Sequence, residues 1–483
     1  MLCAISNKYL IENETIKKIS NFLYSDYYFL FLLMLTTVIW GLGQVTPGPV
    51  IVIGISIMLL LIAFVVVIQR DILPVVPLIF FTMFCLASPK LPSYMWVVAI
   101  SAVVIVGAAL FHFIYYRIEE FKFGKLFFPN ILFAITILLG GIGSKLPAKY
   151  SANLMGIVLI VIAPLFVYSI VLNYSDKDKP LLEYIAKTVM YFGLTMVLHL
   201  AIYYIFKPES LLALSNVPHL GYGISNTVAT YFLITFPICF YLYTKKTGKT
   251  AYLYLGAAVV QFASIILTTS RGATIFGIIE FIVTVVVTIF AVDKKKRKEY
   301  LIFTLIMLVA CGLLFGVLYK KIVGFIHYMF SDGMNDSGRF ELYREALACF
   351  FEYPIFGVGL GYLGKDTIVF NTLGIYMFHN TILQYIACLG ILGLLAFAYL
   401  YFARLEILFE KWNTYSLYIM MAFIGFEGYS LLNTGTVQGY PTAILLVLLY
   451  GAHEMDTKQV ESKMYRILIN KLNKRGILCA KDR

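Results

Sequence analysis

The chain has 483 residues, of which 61% are hydrophobic and only 13% are charged. Soluble globular domains carry about a quarter charged residues, so this composition excludes a soluble protein. The net charge of +12 does not predict a nucleic-acid partner, because the basic residues cluster in short segments between apolar runs. The seven cysteines form no C-x-x-C pair, so neither a disulfide framework nor a zinc site is predicted.

Apolar runs of roughly 17–25 residues recur along the chain, each long enough to cross about 30 Å of hydrocarbon as a helix. They predict an all-α fold, a polytopic transmembrane helical bundle of about 12–14 spans. The shorter runs also fit re-entrant segments. The segment Met1–Ser20 is polar and basic, so no cleavable signal peptide is expected. The candidate spans cover residues 27–43, 50–68, 72–88, 95–116, 126–142, 153–173, 184–206, 225–243, 251–268, 272–292, 300–322, 380–403, 414–432 and 441–453.

The strongest basic cluster between two spans, DKKKRKEY (Asp293–Tyr300), sets the predicted orientation. Loops rich in Lys and Arg stay in the cytoplasm, so this loop is assigned to the cytoplasmic side. Alternation of the spans then places both termini in the cytoplasm as well. It places the span start at Ser225, the turn Thr268–Thr274, the long segment 323–378 and His379 on the outer face.

The outer segment 323–378 contains the stretch DSGRFELYREALACFFEYP, which predicts an amphipathic helix. Asp336 or Ser337 can cap its start, Arg339 falls in its first turn, and Pro354 ends it. We expect this helix to lie on the membrane surface or over a cavity. An anion near its start gains from the helix dipole and the free N–H groups. The apolar positions at helical spacing are Phe340, Tyr343, Leu347 and Phe350.

Two motifs have simpler explanations than the functions they resemble. GLGYLG (Gly359–Gly364) matches the dinucleotide-binding pattern, but that pattern requires a preceding strand in a βαβ unit, so a flexible turn after Pro354 is predicted instead. The D-x-D in SDKDKP (Ser175–Pro180) is interpreted as a solvated charged loop on the cytoplasmic side.

Three polar residues fall inside predicted spans: Gln261, Glu280 and Glu427. Ionisable side chains are rare in the membrane and commonly functional, although an interhelical hydrogen bond explains Glu280 equally well. Glu427 is nearest the outer face and is therefore a candidate substrate-binding residue.

His379 stands at the outer end of a span, on the same predicted face as Arg271 and Arg339. A lone histidine is more often structural than catalytic, but this one is predicted to lie on the same face as two arginines. Histidine is a competent general base near neutral pH. Arginines bind a diphosphate bidentately and remain charged where lysine is less reliable. The three residues therefore favour transfer from a lipid-linked diphosphate.

The motifs around these residues resemble the O-antigen ligase and polymerase superfamily of bacterial membrane glycosyltransferases. HNTILQYIACLGILG fits the H-N-x9-G-x-x-G pattern of that family. Three further pieces follow the family's order: SNTVATYFLITFPICFYL with Asn226, TTSRGATI with Arg271, and SGRFELYREAL with Arg339. The resemblance covers roughly residues 220–400 and divides the chain into N-terminal spans (1–220), a family-like core (221–453) and a basic cytoplasmic tail (454–483).

The resemblance implies a substrate, glycans carried on undecaprenyl diphosphate, and a role for each residue. Arg271 and Arg339 are expected to hold the diphosphate leaving group, and His379 to deprotonate or orient the acceptor hydroxyl. The implied reaction is a direct, inverting displacement at the anomeric carbon without a metal or cofactor. The residues expected to bind substrate are Asn226, Arg344, Asn380 and Glu427; for Asn226 and Asn380 a role at a helix end fits equally well. Gly390 and Gly393 are expected to permit close helix packing below the site.

Three functions remain open at this point. The leading one is a surface polysaccharide polymerase, of O-antigen or capsule type, that joins lipid-linked repeat units. The second is a ligase that moves a finished glycan to a lipid, wall or protein acceptor. The third is a polysaccharide transporter or flippase without chemistry, which predicts internal repeats that the sequence lacks. The expected partners are the lipid-linked oligosaccharide, the bilayer of the plasma (inner) membrane, and a flippase and chain-length regulator of the same pathway, with no nucleic acid.

Overall fold

The computed structural model describes residues 14–88, 96–116, 121–175, 179–208, 218–307, 338–364, 375–435 and 440–456, with single helical positions at 309, 313 and 323. These parts of the chain are almost wholly helical. The β pairing among them consists of two isolated bridges, Ala148 with Tyr362 and His219 with Ile224. The predicted all-α membrane bundle is therefore confirmed.

Sixteen helices are numbered here in chain order within the described residues. They are α1 (Glu14–Leu23), α2 (Asp26–Val45), α3 (Pro47–Ile68), α4 (Val75–Thr82, extended by a 3-10 turn Met83–Cys85), α5 (Trp96–Tyr115), α6 (Phe127–Leu139), α7 (Tyr150–Tyr174, π-helical over Ile157–Ile162), α8 (Leu181–Phe206), α9 (Ser225–Lys245), α10 (Lys249–Leu267), α11 (Arg271–Ala291), α12 (294–307), α13 (Arg339–Glu352), α14 (Thr381–Glu410), α15 (Thr414–Ser430) and α16 (Tyr440–Met455).

Every predicted span coincides with one of these helices except 300–322, of which most residues beyond 307 lie outside the described part. Nine described helices are long and apolar enough to cross a membrane, and three shorter helices, Val75–Cys85, Phe127–Leu139 and Pro441–Met455, are also apolar. The amphipathic helix was predicted correctly as well. Its two candidate caps, Asp336 and Ser337, lie outside the described residues.

Helix α9 lies at the centre of the bundle. Its residues are buried from Thr227 to Tyr243, because it packs against α8, α10, α11 and α15 and carries no charged residue before Lys245. A helix that is apolar all round requires such a fully enclosed position. By contrast, Val103 and Phe113 of α5 are about two-thirds exposed on the outside of the bundle, where lipid chains are their natural neighbours.

The basic loops lie at one end of the bundle and are fixed there by polar contacts. Lys246, just after α9, forms an ion pair of 2.7 Å with Glu183 at the start of α8. Lys296, in α12, donates to the carbonyl oxygens of Tyr243 and Lys246. The start of α9, the turn between α10 and α11, and the end of α15 therefore lie at the other end.

Helix α14 is broken at Gly390, whose backbone (φ 66°, ψ −162°) is not helical. The segment after Pro354 fills the break: Val358 and Gly359 donate to the carbonyls of Ala387 and Cys388 at 2.9 and 2.8 Å. Inside a membrane, backbone groups released by a broken helix need such partners. Gly390 was expected to permit close helix packing; it also breaks the helix, which was not predicted.

The glycine-rich stretch 357–364 was predicted to be a flexible turn. The stretch does contain turns, but the expected flexibility is wrong because most of it is buried. Residues 357–362 are buried, and Leu360 donates to Oδ1 of Asn153 at 2.8 Å. A side chain on Gly357 would lie 2.5 Å from the carbonyl oxygen of Ala387. The glycines are needed here because two backbones meet, which turn composition alone does not reveal.

Candidate functional site

Five helix ends meet at the end of the bundle opposite the basic loops. Helices α9, α11, α13 and α14 begin there, and α15 ends there. Side-chain hydrogen bonds connect these helix ends. Ser270 contacts Asn226 (2.8 Å) and Tyr429 (3.0 Å), and His379 contacts Asn433 (3.3 Å). The N-terminus of a helix carries free N–H groups and a positive partial charge, so this end of the bundle favours an anion.

Arg271 is the first residue of α11 and follows a tight turn from α10. Thr269 in that turn has φ 62°, which is unfavourable for a β-branched residue. On one side of Arg271, Ser270 contacts the hydroxyl of Tyr429; on the other, a side chain on Gly272 would lie 3.1 Å from the Tyr429 ring. The backbone of Arg271 is thus held against Tyr429, and its side chain is half-buried.

Arg339 is the first residue of α13, as predicted, and follows Gly338 with φ 78°. The helix is tied to the chain that leads to His379. Glu345 accepts hydrogen bonds of 2.9 Å from the hydroxyls of both Tyr362 and Tyr376. Tyr343 donates to the carbonyl of His379 at 3.2 Å. These contacts bring the charge of Arg339 within electrostatic range of His379.

The face that α13 turns toward the protein is not the face that carries the apolar repeat in the sequence. Leu342, Ala346 and Cys349 are buried against α14, whereas Phe340 is 64% exposed and Leu347 is 40% exposed. The apolar spacing identified a helix but not its inner side. Small residues at 346 and 349 allow the close approach to α14, while Phe340 and Leu347 point outward.

His379 immediately precedes the cap of α14 and has φ 52°. Its side chain is half-buried, and Nδ1 lies 3.3 Å from Oδ1 of Asn433. Burial, reinforced by the positive charge of Arg339, lowers the pKa of His379 below its ordinary value, and the hydrogen bond with Asn433 partly opposes that shift. The lowered pKa favours the neutral imidazole, the form that a general base requires.

The two predicted asparagines support the ends of helices. Asn380 caps α14 by accepting from the N–H of Leu383 at 3.0 Å, and its Nδ2 donates to the carbonyl of Leu431 at 2.9 Å. Asn226 accepts from Ser270 in the first turn of α9. Both are half-buried beside His379 or Arg271, and their observed contacts correspond to the helix-end role.

Within the described residues, Arg344 and Glu427 form no hydrogen bond or ion pair with the residues above. Arg344 is exposed on α13, without an ion pair to any described residue. Glu427 faces Arg404 of α14, with Oε1 and Nη1 3.7 Å apart and the arginine side chain 3% exposed. Within the membrane, the buried acidic side chain and the buried basic side chain compensate each other's charge. This pairing accounts for Glu427 without a role in substrate binding.

Three residues of the site were not identified from the sequence: Ser270, Tyr429 and Asn433. All are at most 3% exposed, and they form the floor beneath half-buried Arg271 and His379. The polar pair Asn433–Thr434, at the end of an apolar run, was a usable signal for the last of them. Tyr429 gave no signal, because tyrosines are common throughout this chain.

A comparison with protein families finds that residues 256–398 match the family model described as O-antigen ligase. The match includes Arg271, Arg339, His379 and Asn380, while Asn226 lies before it. None of the curated proteins compared with the chain matches it. The family match confirms the resemblance to the O-antigen ligase and polymerase superfamily, and it indicates a membrane enzyme of glycosyltransferase type.

Proposed function

We propose that the chain is a polysaccharide polymerase of the plasma membrane; the match of residues 256–398 to the O-antigen ligase family supports the donor chemistry, which a polymerase and a ligase share. It transfers a glycan from undecaprenyl diphosphate to the acceptor end of another lipid-linked repeat unit. The observation that carries the proposal is the position of His379, Arg271 and Arg339 at one end of the bundle, where four helices begin.

In the proposed reaction, the oxygen of an acceptor hydroxyl attacks the anomeric carbon and forms the new glycosidic bond. The bond from that carbon to the diphosphate oxygen breaks, and its electron pair leaves with undecaprenyl diphosphate. The hydroxyl proton passes to His379, and the configuration at the anomeric carbon inverts. Arg271 and Arg339 stabilise the charge that develops on the leaving diphosphate.

The positions of the basic loops support an outer-face site. The basic residues of α12 and the lysines around 246 lie at the end of the bundle opposite His379. Such residues stay in the cytoplasm, so the proposed site faces outward with both termini inside. At that boundary the lipid tail of the donor stays in the bilayer while its sugars remain in water.

A ligase is the second candidate, and the description of the matching family favours it. Polymerase and ligase share the donor and the leaving group and differ in the acceptor. For either activity, the proposed partners are a flippase that delivers the lipid-linked glycan and a chain-length regulator.

The proposal is tested with the purified full-length protein in liposomes that contain an undecaprenyl-diphosphate oligosaccharide. We expect a ladder of longer lipid-linked glycans and release of undecaprenyl diphosphate. Donor consumption only after a separate lipid, wall or protein acceptor is added would identify a ligase. Movement of intact donor across the bilayer, with no new glycosidic bond, would contradict both enzymes and identify a transporter.

A further inference from the structure

Asn433 has an amide orientation that its neighbours determine. Its Oδ1 accepts from the backbone N–H of Thr434 at 3.0 Å, and its Nδ2 donates to the hydroxyl of Tyr429 at 3.2 Å. Exchanging the two amide atoms would set an NH₂ group against a backbone N–H, two donors without an acceptor. The oxygen of Asn433 is therefore the atom that faces His379.

This orientation fixes the hydrogen on the histidine ring. Oδ1 of Asn433 can only accept, so Nδ1 of His379, 3.3 Å away, must carry a hydrogen and donate it. In the neutral imidazole the second nitrogen, Nε2, then has a free lone pair. Such partners beyond the reacting atoms commonly set the tautomer of a functional histidine.

The hydrogen bonds continue in one direction beyond Asn433. The hydroxyl of Tyr429 accepts from Asn433, and because Ser270 uses its single hydrogen on Asn226, Tyr429 donates to Oγ of Ser270, 3.0 Å away. Ser270 donates to Oδ1 of Asn226 at 2.8 Å. Every donor in this series of hydrogen bonds has one acceptor, and the series ends at Asn226 and Ser270, next to Arg271. A single network thus links the base to the turn that carries one of the two arginines.

We infer that Asn433 is a positioning residue that holds His379 as the Nδ1–H tautomer, leaving Nε2 as the atom that takes the proton of the acceptor hydroxyl. The inference rests on the proposed function. Asn433 is 1% exposed, so it acts through His379 and does not touch the substrate. When Nε2 takes the proton, the resulting imidazolium keeps its Nδ1–H on a neutral amide oxygen.

A neutral partner has a chemical consequence for the base. A carboxylate at position 433 would stabilise the imidazolium, whereas an amide stabilises it much less. Among the described residues, Arg339 of α13 acts on His379 through its charge and Tyr343 of α13 contacts its carbonyl, while Tyr429 of α15 contacts Asn433 and Arg271 lies beyond Tyr429. None of the four is a carboxylate. His379 is thus kept neutral before reaction and readily loses its proton afterwards.

The tautomer is measured in lipid-reconstituted protein carrying ¹³C,¹⁵N-labelled histidine. Among the six histidines, the signal of His379 is identified by its loss in His379→Gln. We expect Nδ1 protonated and Nε2 unprotonated at neutral pH in the wild type and in Tyr429→Phe, which keeps the contact of Asn433 with Thr434. We expect the Nε2–H form to appear in Asn433→Ala, with turnover reduced about 10- to 100-fold.

Asn433→Asp provides a readout that a merely structural role would not change. The new carboxylate raises the pKa of His379, so the acidic limb of the pH–rate profile should move to higher pH. An Nε2–H form in the wild type, or an unmoved limb in Asn433→Asp, would overturn the inference. Absence of turnover in the wild type would instead refute the proposed function, and the spectrum would still decide the tautomer.

Discussion

Thr269 and His379 share a backbone conformation that residues with a Cβ seldom adopt. They are the two non-glycine residues with positive φ in the described part of the chain, at 62° and 52°. Each one precedes the start of a helix at the site, and a residue in this conformation costs on the order of 1–3 kcal/mol. The surrounding hydrogen bonds hold both in place. These two conformations direct Arg271 and the imidazole of His379 toward the same end of the bundle.

The pH dependence of the reaction follows from the environment of His379. Burial and the charge of Arg339 lower the pKa of this histidine, so the acidic limb of kcat/KM should lie below the pH of an ordinary imidazole. In Arg339→Gln the pKa rises, because a nearby positive charge is removed. More of the base is then protonated at a given pH, and the limb should move to higher pH in addition to the loss of rate.

Arg344→Gln is the matched control, since this arginine is exposed on the same helix. Its acidic limb should coincide with that of the wild type, whatever its effect on KM. A limb that moves equally in both variants would show that Arg339 does not act on His379 directly.

At the scale of elements, α14 is the helix whose conformation matters most. Its break at Gly390 lets the segment after Pro354 enter the bundle, and that segment connects α13 to the chain before His379. Broken helices mark binding sites in some transporters, where the released backbone groups contact the substrate. Here the carbonyls of Ala387 and Cys388 are occupied by Val358 and Gly359, which supports a structural purpose for the break.

Gly390→Ala should strongly destabilise the protein. The new Cβ would lie 2.3 Å from the carbonyl oxygen of Ile355, at a residue with φ 66°. Strain and overpacking together amount to about 2–5 kcal/mol, so the apparent unfolding temperature in detergent should fall markedly. In Gly107→Ala of α5 the new Cβ meets no atom within 4 Å, and the temperature should stay the same or rise slightly. Equal temperatures for the two variants would contradict the packing described for α14.

At the scale of the whole molecule, the sequence was sufficient to predict the features that depend on local residue patterns. Span positions follow from apolar length, and Arg271, Arg339 and His379 were grouped through span alternation and motif spacing. The contacts of Asn433, Tyr429 and Ser270, the break at Gly390 and the inner face of α13 could not be predicted in this way. Each of these depends on which distant segments touch, and residues such as 270 and 429 are far apart in the chain.

The most direct test of the central claim compares active-site variants in the liposome assay, with equal amounts of folded protein. His379→Ala, Arg271→Ala and Arg339→Ala should each abolish the elongation of lipid-linked glycans or lower it at least about 100-fold. Two control variants should retain wild-type rates. His219→Ala removes an exposed histidine, and Arg70→Ala removes an exposed arginine between α3 and α4. Elongation that survives loss of His379 and both arginines would contradict the assignment of the chemistry to this site.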